Sequence, residues 1–165
     1  MRQLSAAPQR GLTLIELMVT ITIGGILMMA GAPYLGDYIQ NSRLREAGNS
    51  ALSAALFAQS EAIKRNGRVR MSIEGSKVEI TDRVGLASDA AGTALRTLTL
   101  PDGVKTTSNA SVDFGSEGRT WPLGTTLTFG FAKSGITCST EIRCPALVIE
   151  AGGAVRLCVD KTHCS

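Results

Sequence analysis

Aromatic residues are scarce in this chain, at 4% of 165 positions, and charged residues make up only 19%. It has one histidine, His163, between Thr162 and Cys164 near the end of the chain, and one tryptophan, Trp121, before Pro122. There is no His-Glu-x-x-His, no Gly-x-Ser-x-Gly, no phosphate loop and no dinucleotide fingerprint. The acids of residues 37–165 are scattered, without a pairing that sequence can show. An enzyme is therefore not expected, and neither a cofactor nor a metal is implied. Trp121 reads as a packing or loop anchor. No internal repeat is evident. A formal net charge of +3 permits an anionic partner but does not require one. The length supports one modest core.

Charge is also missing locally. Residues 1–11 carry Arg2 and Arg10 and no acid; after Glu16 no charge occurs until Asp37. The 20 intervening residues, 17–36, would span about 30 Å as a helix, the thickness of a bilayer core. A positive leader with no positive charge directly beyond the span puts the N-terminus in the cytoplasm and the rest outside the inner membrane. A secretory signal would be cut at an A-x-A site after its apolar core, and only Ala30-Gly31-Ala32 mimics one. A plain transmembrane anchor leaves Glu16 unexplained. A carboxylate costs roughly 2.5–3.5 kcal/mol at the centre of a membrane helix, and less near its end. Such an acid usually faces a partner, and a free α-amine made by cleavage before an apolar residue would serve. Pro33, with Gly24, Gly25 and Gly31, weakens the helix and marks a kink or a segment able to loosen.

All four cysteines, Cys138, Cys144, Cys158 and Cys164, fall in the last 28 residues. An even, clustered set outside the cytoplasm reads as disulfides, and three pairings are possible. Loop-closure entropy favours Cys138–Cys144 and Cys158–Cys164. A zinc site, with His163 as a further ligand, would call for tighter spacing.

Residues 34–65 keep a helical pattern. Leu44, Ala47, Ala51, Ala55, Ala58 and Ala62 recur at three- and four-residue steps, with Leu52, Leu56 and Ile63 alongside. Lys64 and Arg65 suit a helix C-terminus, and Asn66-Gly67 a left-handed stop. One helix is expected over 13–65, followed by strands near 68–74, 77–80, 95–100, 104–107, 111–114, 126–132, 146–150 and 154–159. Residues 82–93 read as a flexible loop and Gly152-Gly153 as a hairpin turn. The fold class is α+β: a long N-terminal helix packed on antiparallel sheets.

Gly11-Leu12-Thr13-Leu14-Ile15-Glu16 resembles the prepilin signature of the type IV pilin-like superfamily, although leucine stands at Leu12 where that family usually has phenylalanine. The resemblance implies a leader, residues 1–11, cut after Gly11 by a prepilin peptidase that also methylates Leu12. It further implies a transmembrane half-helix, 12–36, an assembly role for Glu16, and a periplasmic or extracellular head, 37–165. Residues 55–73, with Ser60-Glu61-Ala62-Ile63-Lys64-Arg65, resemble the GspH/FimT branch, Gln59 replacing its usual arginine. The implied function is a minor pilin of a type IV pilus, in its priming complex or at its tip, or alternatively the H-type minor pseudopilin of a type II secretion system, or a pilus-associated DNA receptor for natural transformation. Other pilin or pseudopilin subunits, the peptidase and the inner membrane are the implied partners.

Some members of that branch bind DNA through a C-terminal G-R-x-R motif. Here Gly153-Ala154-Val155-Arg156 lacks the first arginine, while Gly67-Arg68-Val69-Arg70 spells the motif at a different place. Lys64, Arg65, Arg68, Arg70, Lys133, Arg143, Arg156 and Lys161 would hold DNA phosphates if they shared a face. The bland alternative is that Arg68 and Arg70 are outward residues of an alternating strand.

Overall fold

The computed structural model describes residues 11–86, 90–160 and 164, without the side chains of Ala32 and Pro33. Residues 1–10 of the expected leader, Lys161 and His163 lie outside the described residues. The chain divides into two units at Gly36/Asp37. Helix α1, Leu14–Lys64, is continuous in both, and its backbone is helical through Pro33.

In the first unit, Thr13 caps α1. The Leu17 N–H donates to its carbonyl at 3.1 Å and the Glu16 N–H to its Oγ1 at 3.3 Å. Thr13-x-x-Glu16 has the spacing of a capping box. Leu14–Gly31 is long and apolar enough to cross a membrane, and its side chains are exposed. Its two threonines satisfy themselves: Thr20 donates to the Leu17 carbonyl at 2.9 Å and Thr22 to that of Met18 at 2.7 Å. Bonds of this kind remove the cost of a bare hydroxyl in hydrocarbon.

In the second unit α1 turns its small residues inward. Leu44, Ala47, Ala51, Ala54, Ala55, Ala58 and Ala62 are fully buried. Leu56 and Ile63, expected beside this stripe, are instead 48% and 53% exposed. Each follows a buried alanine by one residue, a rotation of about 100° that carries the larger side chain off the packed face.

The helix stop divides its work between two residues. Asn66 takes the left-handed conformation (φ 50), with its N–H on the Ile63 carbonyl and that of Gly67 on the Ala62 carbonyl. Gly67 is required for space, since a Cβ there would lie 2.4 Å from Val84 Cγ2.

Nine strands follow: β1 Val69–Glu74, β2 Lys77–Asp82, β3 Thr93–Thr99, β4 Val104–Thr106, β5 Ala110–Phe114, β6 Thr120–Trp121, β7 Leu127–Lys133, β8 Ala146–Ile149 and β9 Val155–Cys158. They form two antiparallel sheets, ordered β3-β2-β1-β5-β6 and β4-β7-β8-β9. Alternation sets the inner faces. Val69, Met71 and Ile73 of β1, Val78 and Ile80 of β2, and Phe129 and Phe131 of β7 join the alanine stripe in one core. The sheets are joined where the Thr106 N–H meets the Gly75 carbonyl at 2.8 Å. The Gly152-Gly153 hairpin forms, with Gly153 at φ 88. β6 was not expected; two residues carry no periodicity to detect. The stretch read as a loop joins β2 to β3, and its Arg83 is buried.

Candidate functional site

The expected cleavage point, Gly11–Leu12, lies just before the first turn of α1, and Leu12 is 75% exposed. A scissile bond needs extended, accessible backbone, and residues 11–13 are exposed and not helical. Glu16 sits in the first turn, near the partial positive charge of the helix N-terminus.

The cysteines pair Cys138–Cys144 and Cys158–Cys164, and none is free among the described residues. No thiolate is left for zinc. Among the described residues, no group of three or more His, Cys, Asp or Glu is arranged to hold a metal.

Among the described residues, most of the candidate DNA-binding basic side chains are engaged by other groups of the protein. Arg65 donates to Glu61 at 2.8 Å and to Asp82 at 2.7 Å, tying the end of α1 to β2. The Arg65 hydrogen bond holds the Glu61 carboxyl below its ordinary range, and Lys64, at 3.3 Å, adds to this. Arg70 faces Asp113 directly across β1 and β5 and grips both carboxylate oxygens, at 2.5 and 2.9 Å. That hydrogen bonding raises the Arg70 pKa above its usual value. Arg68 donates to the Leu86 carbonyl. Arg156 pairs with Glu150 at 2.7 Å, and Lys133 reaches Gln40 at 2.5 Å. The early Gly-Arg-Val-Arg spelling is thus part of the scaffold. Among the described residues of this set, Arg143 alone is exposed without a side-chain partner.

Two helix residues whose role the sequence did not reveal organise the head. Gln59 donates through Nε2 to the Gly118 carbonyl at 2.6 Å and the Gly153 carbonyl at 2.9 Å, pinning a turn from each sheet to α1. Asn41 donates to the Glu141 carbonyl at 2.7 Å and accepts from the Arg143 N–H at 3.0 Å. It thereby holds the loop closed by Cys138–Cys144. These partners lie 59 to 102 residues apart, beyond the reach of periodicity.

Several solved structures share this architecture. The type IV minor pilin FimU of Pseudomonas aeruginosa matches with a TM-score of 0.58 at 19% identity, over 73% of this chain and 91% of its own. GspH of E. coli matches at 0.56 and 15% identity, over 76% and 94%. By sequence, the type IV major alpha-pilin of Moraxella bovis is 36% identical over 112 residues, 54% of this chain and 69% of that one. Residues 7–32 match the prokaryotic N-terminal methylation motif, and residues 47–160 match the type II transport protein GspH family. The chain belongs to the GspH family of pilin-like structural subunits.

Proposed function

We propose that this protein is a minor subunit of a type IV pilus, made as a precursor, cut between Gly11 and Leu12 and methylated at Leu12. The observation that carries the reading is the exposed, non-helical Gly11–Leu12 bond directly before a capped, membrane-length apolar helix with an acid in its first turn. Cleavage would put an α-ammonium at the positive end of the helix dipole, which is unfavourable without a counter-charge. Glu16 supplies that charge to a neighbouring subunit's new N-terminus as the helices pack into a filament. The segment 12–36 anchors the precursor in the inner membrane, and the head, 37–165, lies outside, where its two disulfides persist.

The second reading, a minor pseudopilin of a type II secretion system, rests on the GspH family match over 47–160. Both share the same processing and packing chemistry. Reception of DNA has less support, because ion pairs engage Arg65, Arg70 and Arg156.

The test is mass analysis of mature protein from its host, together with Glu16→Ala. Mature chain should begin at a methylated Leu12. Glu16→Ala should insert into membranes but enter filaments at least tenfold less often. A different N-terminus, or normal incorporation of the variant, overturns the reading.

A further inference from the structure

A groove of about 570 Å³ opens on the head beside β9, the outermost strand of its sheet. One wall is a polar stripe of α1 at helical spacing: Tyr38, Asn41, Arg45 and Asn49. The other is the disulfide-closed loop with Thr140, Glu141 and Arg143, and the floor is Pro145 and Leu157. Gly48 lets the floor rise to the helix, since a Cβ there would lie 2.8 Å from Leu157 Cδ1.

Arg45 and Arg143, about a hundred residues apart in sequence, both line this groove, and neither has an ion-pair partner among the described residues. Elsewhere in the head Arg65, Arg70 and Arg156 are matched to carboxylates. A groove lined by two arginines without ion pairs, beside a strand edge with no further strand among the described residues, fits an extended chain bearing carboxylates.

We propose that this groove binds an acidic, extended peptide segment of a partner protein. The segment adds along the β9 edge, and its carboxylates bridge Arg45 and Arg143. Asn49 and Thr140 offer further hydrogen-bonding groups to a peptide backbone. Glu141 in the same groove can accept from the amide N–H groups of a peptide backbone, donors that a phosphate backbone lacks. Two cations against one acid are also few for a phosphate track. Neither cleavage at Gly11 nor packing of α1 is involved, so the groove and the filament role fail or stand separately.

The test uses the full chain in detergent micelles and fluorescein-labelled peptides read by anisotropy. The probe is Val-Glu-Val-Glu with blocked ends, and its counterpart is Val-Gln-Val-Gln. The acidic peptide should bind at least tenfold more tightly than the neutral one, and more weakly as salt rises. Arg45→Gln with Arg143→Gln should erase that preference, whereas Arg119→Gln, at an exposed site outside the groove, should preserve it. Equal binding of both peptides, no binding at millimolar concentration, or binding indifferent to the double variant overturns the proposal. So does an oligothymidylate of equal charge that displaces the peptide at lower concentration.

Discussion

Gln59→Ala should loosen the head more than any ordinary substitution on the helix surface. The amide nitrogen makes two hydrogen bonds, to Gly118 and Gly153, in a partly buried setting. Each such bond contributes about 0.5–1.5 kcal/mol net, and an acceptor stranded away from water costs about 1–3 kcal/mol. Water can reach part of this site, so the lower figures apply and the expected loss is about 2 kcal/mol. Gln59→Arg should recover most of it, because a guanidinium carries enough donors for both carbonyls. The contact between the turns is close as well: a Cβ on Gly153 would stand 2.1 Å from the Gly118 oxygen. Neither turn can withdraw without disturbing the other. The assay is urea unfolding of the full chain in micelles, followed by Trp121 fluorescence, with Leu56→Ala as an exposed control. A loss under about 0.5 kcal/mol for Gln59→Ala, a typical surface value, would refute the idea that this amide joins the sheets to the helix.

Two further outcomes are expected. Glu61 has its carboxyl lowered from the ordinary 4.5, chiefly by the Arg65 hydrogen bond. A depressed native pKa gives stability that is present above the unfolded value and disappears as pH falls through the native one. Urea midpoints should therefore favour wild type over Glu61→Gln at neutral pH, with the gap closing below about pH 4.5; a gap constant from pH 7 to 3 would contradict this. For Arg70 and Asp113, a double-mutant cycle with Arg70→Gln and Asp113→Asn should give a coupling of about 1–3 kcal/mol, since the pair is bidentate and Asp113 is buried. Coupling near zero would mean that the pair is incidental.

Local features were legible in the sequence because their signals are local. The charge gap from 17 to 36 and the alanine steps from 47 to 62 gave the helix, observed as Leu14–Lys64. Alternation and turn residues located eight of the nine strands, with ends displaced by one or two residues. The lost details were of two kinds. β6 is too short to carry a period, and the helical pattern placed Leu56 and Ile63 alongside the stripe without fixing their exposure, which is 48% and 53%. The partners of Arg70, Gln59, Asn41 and the Arg45–Arg143 groove were hidden for a different reason: each depends on strand order, which no one segment encodes. Pairing of the cysteines by shortest loop needed only sequence distance, and the same pairs are bonded in the structure.

The buried alanine seam of α1 limits how this head can vary. A methyl group is the largest side chain those six positions carry, and every one of them is sealed from solvent. Enlarging any of them would wedge the sheets off their support, at a cost of about 1–3 kcal/mol in a well-packed interior. Variation in the head is therefore channelled to the turns and the disulfide-closed loop, where a changed side chain meets water instead of a neighbour.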